Sequence, residues 1–173
     1  MVLLRGNLSK PRSLLAGKLL WLSFLFLLAG CMTSRPESLG VSNGTLTPCP
    51  ATPNCVSSQS SPADTEHFIS AMPYAIPEEL LRQNILEVLN ETPRTKIVTA
   101  SNDCIHVEST SLFLRFTDDF EFYIDSREKL LHFRSASRVG RSDFGTNRKR
   151  VEAFKKELLT TLTELNSPVT DNE

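Results

Sequence analysis

Several motifs that would assign a particular chemistry are absent from this sequence of 173 residues. No internal repeat or heptad run is visible, so solenoid and coiled-coil architectures are not indicated. The serines beside the arginines near residue 135 lie in neither a G-x-S-x-G nor an S-x-x-K pattern, the usual settings of a nucleophilic serine. Cys49 and Cys55 have no nearby histidine and no second closely spaced cysteine pair, which makes a weak case for zinc. We therefore expect neither a metal nor a cofactor.

Positive charge is also scarce over most of the chain. Residues 1–30 hold four of the 19 basic residues and no acid, so the remaining 143 residues carry 15 basic and 20 acidic side chains. Residues 131–150 reverse this balance, with six basic residues against the single acid Asp143. An acidic protein with one basic stretch lacks the extended basic surface that nucleic-acid binding requires. We expect no nucleic-acid partner.

The first 30 residues resemble a lipoprotein signal peptide. A basic segment ends at Lys18, and the apolar run from Leu19 to Leu28 is too short to span a bilayer as a helix. The following Ala29-Gly30-Cys31 matches the bacterial lipobox, in which the cysteine thiol receives a diacyl-type anchor and becomes the mature N-terminus. Met32 fits an outer-membrane address. The pattern predicts a cell-envelope protein, lipid-anchored on the periplasmic side of the outer membrane; the alternatives are an ordinary signal peptide or an uncleaved short anchor.

Residues 31–46 are rich in Ser, Thr, Gly, Asn and Pro and predict a flexible tether. In the segment that follows, three prolines surround Cys49 and Cys55. In an exported, oxidising compartment these two cysteines are close enough in sequence to form a disulfide, which would leave Cys104 as a lone thiol. Reduced structural thiols and a redox role are the alternatives.

Residues 47–166 predict a single α+β domain, followed by a disordered tail at residues 167–173. Helical periodicity extends from Pro77 to Asn90 and again from about Asn147 to Leu165. Between the helices lie alternating segments typical of strands, at residues 96–100, 104–108, 112–116, 120–125 and 130–135. The short link at residues 126–129 favours antiparallel neighbours. We expect an antiparallel meander of about four to five strands with two helices packed on one face.

The basic stretch at residues 131–150 predicts a strand, a glycine loop and the start of a helix. Thr146 or Asn147 suits the helix N-cap, but basic residues then occupy the first turn, where acids normally complement the helix dipole. Helix N-termini preceded by glycine loops suit anions. The stretch therefore predicts an anion-binding site made of Arg134, Ser135, Ser137, Arg138, Arg141, Asn147, Arg148 and Arg150. The alternative is that these arginines pair with acids elsewhere in the fold.

Asp118, Asp119 and Glu121 form an acidic cluster between two predicted strands. Paired carboxylates can act as general acid and base or hold a hard cation. They would then serve a hydrolase or transferase that acts on an anionic substrate held by the arginines. The alternative is charge pairing across the sheet with Arg134, Arg138 and Arg141.

Three ordered motifs resemble the DUF1499 family, a family of domains of unknown function. They are Pro48-Cys-Pro with Pro53-Asn-Cys-Val-Ser-Ser58, the segment Phe116–Phe122, and the segment Arg134–Val151. The resemblance covers roughly residues 47–163. Bacterial members are often exported or lipid-anchored, and because the family has no established activity, the resemblance implies motif positions without roles.

Three functional hypotheses follow from the sequence. The favoured one is a non-catalytic, membrane-anchored envelope lipoprotein that binds an anionic small molecule, a lipid headgroup or an acidic envelope protein through its arginine-rich stretch. The second is the hydrolase or transferase described above. The third is a structural interaction domain whose charges are paired internally.

Overall fold

The computed structural model describes residues 34–166, so the predicted signal peptide, the predicted lipidation site Cys31 and the predicted disordered tail at residues 167–173 lie outside the described range. Two helices and eight strands make up this part of the chain. In chain order they are β1 (Val41–Ser42), β2 (Thr45–Leu46), β3 (Cys55–Ser57), β4 (Met72–Pro73), α1 (Glu78–Glu91), β5 (Thr95–Ala100), β6 (Cys104–Thr110), β7 (Thr117–Asp125), β8 (Leu130–Ser137) and α2 (Thr146–Asn166).

Six of these strands form one antiparallel sheet in the order β3-β8-β7-β6-β5, with β4 pairing with β8 beside β3. The strands from β5 to β8 follow one another as a meander because only short turns connect them. This meander confirms the predicted α+β class. Strands β3 and β4 were not predicted, because they are too short to show an alternating pattern.

Both helices pack on one face of the sheet, as predicted. The apolar stripe of α1 is buried at Leu81, Ile85, Val88 and Leu89. From α2, Phe154 contacts the rings of Phe120, Phe122 and Phe133 on the sheet, with centroids 4.7–6.2 Å apart. Each large side chain buried in this way contributes about 1.5–3 kcal/mol to the free energy of unfolding. This aromatic layer is the centre of the core.

The second face of the sheet is covered by residues 35–46, which corrects the expectation of a flexible tether over residues 31–46. Strands β1 and β2 form a hairpin, and its turn residues Asn43 and Gly44 have φ angles of 53° and 76°. Those angles suit the tight turn for which Asn-Gly is the strongest sequence signal. The hairpin is anchored by Leu46, which is 2% exposed, and by the Gly40 amide, which donates to Glu121 on β7.

The strand predicted at residues 112–116 is wrong, because these residues form the connection between β6 and β7. The register pairs Thr110 with Thr117, so the chain has to reverse direction between them. Arg115 takes a φ of 54°, a turn conformation, and the amide of Ser111 bonds the carbonyl of Phe116 at 2.9 Å. The apolar run Leu112-Phe113-Leu114 resembles part of a strand, but these side chains are exposed.

Candidate functional site

The predicted acidic cluster is divided between the two faces of β7. Side chains alternate along a strand, and Phe120 and Phe122 face the helices. Asp118 therefore lies on the helix face, whereas Asp119 and Glu121 lie on the second face. All three carboxylates are buried, at 8%, 2% and 0% exposure. They do not form a single acidic pocket.

The predicted anion site is divided in the same way. On β8, Ser135 bonds Asn147 of α2 on the helix face, while its neighbour Arg134 pairs with Glu121 on the second face. The eight predicted residues therefore do not converge on one point. Six belong to two separate polar networks, one on each face of the sheet; Arg141 lies in the loop that leads into α2, and Arg148 lies at the start of α2.

The network on the second face is centred on Arg138. Its guanidinium makes two hydrogen bonds to Asp119, at 2.6 and 2.9 Å, and a third to Glu108 at 2.7 Å. Asp119 also accepts from Nε2 of His106 at 2.8 Å, with the proton assigned to that nitrogen. Glu108 accepts from Arg35 at 2.7 Å. This chain of charges links strands β6, β7 and β8 to the segment that precedes the hairpin.

A second ion pair on the same face joins Arg134 to Glu121. Nη1 of Arg134 lies 2.8 Å from a carboxylate oxygen of Glu121, and the Gly40 amide donates to the other oxygen at 2.6 Å. The two residues are directly opposite in the register of β7 and β8. Because Glu121 is fully buried, its negative charge is balanced by these donors rather than by water.

The electrostatics of this face favour the ionised carboxylates. Burial opposes ionisation of Asp119, but the hydrogen bonds from Arg138 and His106 outweigh it and lower the pKa of the carboxyl below its usual value. The same balance of burial against the hydrogen bonds from Arg138 and Arg35 lowers the pKa of Glu108. The hydrogen bond to Asp119 likewise raises the pKa of Arg138 above its usual value. A lower pKa makes each carboxylate a weaker base, which works against a general-base role for Asp119 and Glu108.

The network on the helix face is centred on Asn147, which is fully buried. Its Oδ1 accepts from Oγ of Ser135 at 2.7 Å and from Arg150 at 2.5 Å. Its Nδ2 donates to the carbonyl of Asn54 at 2.9 Å and to Oγ of Ser137 at 3.0 Å. Every hydrogen-bonding atom of this side chain therefore has a partner within the protein, and the network joins α2 to β8 and to the loop before β3.

Arg150 completes this network, because Nη2 lies 2.6 Å from a carboxylate oxygen of Asp118. The ion pair connects the first turn of α2 to the start of β7. Of the predicted acidic and arginine residues, Asp118 with Arg150, Asp119 with Arg138, and Glu121 with Arg134 thus form three pairs. The alternative of internal charge pairing describes these six residues.

The start of α2 uses a different cap from those considered in the sequence analysis. Asp143 accepts from the amides of Gly145 and Asn147 at 3.0 and 2.7 Å, and its charge complements the positive end of the helix dipole. Arg148 donates to the carbonyls of Thr65 and Glu66. The helix N-terminus is therefore occupied by a side chain of the protein itself.

Arg141 differs from the other predicted arginines. It is exposed, and it forms no hydrogen bond or ion pair with the residues that the structure describes. It lies in the loop between β8 and α2, where Gly140 and Gly145 take φ angles of 86° and 75°. Among the eight predicted anion ligands, Arg141 is the one whose guanidinium is available to a partner.

The family model described as Protein of unknown function (DUF1499) matches residues 45–158, about two thirds of the chain. The chain belongs to this family. The match confirms the resemblance carried by the three motifs, and no curated protein matches the chain. Among residues 34–166, no helix is long and apolar enough to cross a membrane.

In this chain, the DUF1499 motif residues connect the secondary-structure elements to one another through hydrogen bonds and ion pairs. Asn54 of the first motif donates to the carbonyl of Gly140 at 2.7 Å, and its own carbonyl accepts from Asn147. Asp118 and Asp119 of the second motif hold Arg150 and Arg138 of the third. In the sequence, these polar residues resemble a catalytic cluster. In the structure, they join the loop before β3, the sheet and α2.

The cysteines adopt the pairing predicted from their spacing. Cys49 and Cys55 form a disulfide, and Cys104 is free and partly buried. Burial and the nearby charge of Glu121 raise the pKa of the Cys104 thiol to about 11. A thiol with that pKa is a poor nucleophile near neutral pH.

Among the residues that the structure describes, one group of side chains could hold a cation. Single ligand atoms of Asp125, Glu128 and His132 lie within 4.8 Å of one another near the turn between β7 and β8. However, Asp125 already accepts the amides of Arg127 and Glu128, and Nδ1 of His132 lies 3.0 Å from Oγ of Ser58. These bonds account for the arrangement as the stabilisation of a tight turn.

Sequence reasoning missed four residues of the two networks: Arg35, Asn54, His106 and Glu108. The signal for Glu108 was its position on a strand next to β7, directly opposite Asp119. His106 could have been found in the same way, from its position two residues earlier. The contributions of Arg35 and Asn54 depend on how distant loops pack, and no local pattern indicates them.

Proposed function

We propose that the protein is an envelope lipoprotein, anchored through lipidated Cys31 on the periplasmic side of the outer membrane, whose folded domain is a non-catalytic interaction domain. The leader supports the anchor, because a basic segment, a short apolar run and a lipobox precede the domain in the expected order. Met32 supports the outer-membrane address. The disulfide between Cys49 and Cys55 is consistent with export to an oxidising compartment.

The observation that carries the non-catalytic assignment is the pairing of every carboxylate in the predicted acidic cluster. Asp118, Asp119 and Glu121 are buried, and each holds an arginine at 2.6–2.8 Å. A substrate would have to displace these arginines before it reached a carboxylate. The charge networks account for the acidic cluster without a reaction, which favours internal pairing over the hydrolase or transferase.

An anionic partner remains the second part of the proposal, now placed on Arg141. This residue is exposed and unpaired among the described residues, in contrast to Arg134, Arg138 and Arg150. Inorganic phosphate is a suitable probe. We expect it to raise the melting temperature of the parent slightly and to have less effect on Arg141→Ala. An equal rise in both proteins would exclude a role for Arg141 in anion binding.

The anchor is tested by labelling cells with radioactive palmitate. The parent should incorporate the label and fractionate with membranes, and Cys31→Ser should lose both properties because the thioether needs that sulfur. Cys104→Ser is the matched control, since it removes a cysteine from the same chain and should retain the label. A parent protein that incorporates no palmitate would refute the lipoprotein assignment.

A further inference from the structure

Exposed apolar side chains are concentrated in two loops. Among residues 34–164, six large hydrophobic residues are exposed, and four of them lie at residues 111–116 and 138–145. The four are Leu112, Phe113, Leu114 and Phe144, with exposures of 63%, 89%, 69% and 90%. A run of three consecutive exposed apolar side chains is unfavourable on a protein surface unless it serves a function.

The sheet brings these two loops to the same end of the molecule. The first loop connects β6 to β7 after the pair Thr110 and Thr117. The second follows β8 directly after the pair Asp118 and Ser137. Because β7 and β8 are hydrogen-bonded neighbours about 5 Å apart, the loops leave the sheet side by side. We call this surface, made of residues 111–116 and 138–145, the apolar end.

The first loop is closed by hydrogen bonds that leave its apolar residues outside. The amide of Ser111 donates to the carbonyl of Phe116, and the amide of Phe116 donates to Oγ of Ser111, both at 2.9 Å. The loop is therefore an ordered turn. Its apolar tip makes no contribution to the core, so its exposure requires a different explanation.

Unpaired positive charge surrounds the apolar end. Arg94, Arg115 and Arg141 are exposed, and none of their guanidinium groups has a partner among the described residues. Arg94 belongs to this end because its carbonyl accepts from the amide of Thr110. Of the acids nearby, Asp143 caps α2 and Glu91 is exposed. Apolar side chains with a cationic rim match the acyl boundary and phosphates of an anionic bilayer.

The chain also approaches the apolar end from its N-terminal side. Arg35 is fixed to Glu108 at 2.7 Å, and Glu108 lies two residues before the end of β6. Cys31 precedes Arg35 by four residues, a length of chain that spans at most about 14 Å. A lipid on Cys31 would therefore hold this end of the sheet near the membrane surface.

We propose that the apolar end is a membrane-docking surface, an inference that rests on the proposed lipid anchor. Leu112, Phe113, Leu114 and Phe144 enter the headgroup and upper acyl region of the bilayer. Arg94, Arg115 and Arg141 contact lipid phosphates. The domain then stands with its β7–β8 turn, at residues 126–129, directed away from the membrane.

The proposal is tested with an environment-sensitive fluorophore attached to single cysteines in the mature protein, reconstituted in vesicles of phosphatidylcholine with and without phosphatidylglycerol. Cys104→Ser removes the free thiol, and the disulfide is kept oxidised. The fluorophore at Phe113→Cys should shift to shorter wavelength and be quenched by nitroxide-labelled lipid. The fluorophore at Ser126→Cys, in the opposite turn, should show neither effect. Equal quenching at the two positions would overturn the proposal.

Matched variants then test whether the two loops act as one surface. With the fluorophore at Ser142→Cys in the second loop, the double change Leu112→Ser and Leu114→Ser in the first loop should abolish lipid quenching. Leu159→Ser is the control, because Leu159 is also exposed, at 52%, but lies on α2 away from the loops. Arg115→Glu should reduce quenching only in vesicles that contain phosphatidylglycerol. Loss of quenching in the control as well would contradict the assignment.

Two further outcomes separate this proposal from others. A fluorescence change at residue 113 that depends on protein density but not on the nitroxide lipid would identify a second copy of the chain as the occupant, and would overturn membrane docking. Palmitate incorporation without quenching at residue 113 would reject docking and keep the anchor. Quenching at residue 113 in a protein without palmitate would reject the anchor and keep docking.

Discussion

Removal of Arg138 tests whether the charge networks stabilise the fold. Its side chain is 6% exposed, and it bonds both Asp119, at 2% exposure, and Glu108, at 17%. Arg138→Ala would leave two largely buried carboxylates without their shared cation. Breaking a buried pair in this way typically costs about 3–5 kcal/mol.

The lower end of that range applies here. Asp119 keeps its hydrogen bond from His106, and Glu108 keeps its ion pair with Arg35. We therefore expect Arg138→Ala to lower the free energy of unfolding by about 3 kcal/mol. For a domain of this size, that corresponds to a fall in melting temperature on the order of 10 °C. Arg141→Ala, in the exposed loop, should change the free energy by no more than about 0.5 kcal/mol.

The assay is thermal and urea denaturation of the two variants and of the double variant Arg138→Ala with Asp119→Asn. The double variant should regain part of the lost stability, because it removes the negative charge that the single change strands. Arg141→Ala serves as the control for loss of an arginine from the same stretch. If Arg138→Ala melted at the same temperature as Arg141→Ala, the reasoning from the buried network would be refuted.

Three more predictions follow from the networks and the cysteines. The lowered pKa values of Asp119 and Glu108 stabilise the fold fully above their unfolded-state pKa values, near 3.8 and 4.5, and this stability is lost as the pH falls through the folded-state pKa values. Urea midpoints measured between pH 7 and pH 2.5 should show the loss. Asp119→Asn should make the loss smaller. Asn147→Ala should lower the free energy of unfolding by about 2–4 kcal/mol, because it leaves several buried polar partners of the side chain without a hydrogen bond. A decrease no larger than that of Arg141→Ala in the same melts would contradict the role of the network. Thiol counting on the denatured, unreduced protein should find Cys104 free and Cys49 and Cys55 blocked. In the native protein, Cys104 should be alkylated slowly at pH 8, because its pKa of about 11 leaves little thiolate.

The sequence predicted the parts of the fold that depend on local periodicity. The stripe of α1, the meander and the faces of β7 follow from spacings of 3.6 and 2 residues, and the short link at residues 126–129 sets the β7–β8 register. That register already places Glu121 opposite Arg134. The prediction failed at residues 112–116, where an apolar run resembles a strand but forms an exposed turn, because a local apolar pattern does not report whether a face is buried.

The candidate site was less predictable because its partners come from distant segments. The bonds from Arg138 to Asp119 and from Arg150 to Asp118 depend on how the loop after β8 bends and how α2 packs. The hairpin signal of Asn43-Gly44 was present in the sequence, but the polar composition around it resembles a tether. Composition alone does not distinguish an arginine held by a buried carboxylate from one that faces solvent.

The positions of the arginines show how one basic stretch could combine internal pairing with the proposed membrane contact. Arg134 and Arg138 lie on the second face of the sheet, which is covered by the polar segment at residues 35–46 rather than by a helix, and there they neutralise buried carboxylates. Arg141 lies beyond the end of the strand, and its guanidinium pairs with no acid among the described residues. The same Glu108 that holds Arg138 also holds Arg35, so the buried network fixes where the chain leaves the domain towards Cys31. Internal pairing and the proposed membrane attachment are therefore compatible, because the first would orient the domain for the second.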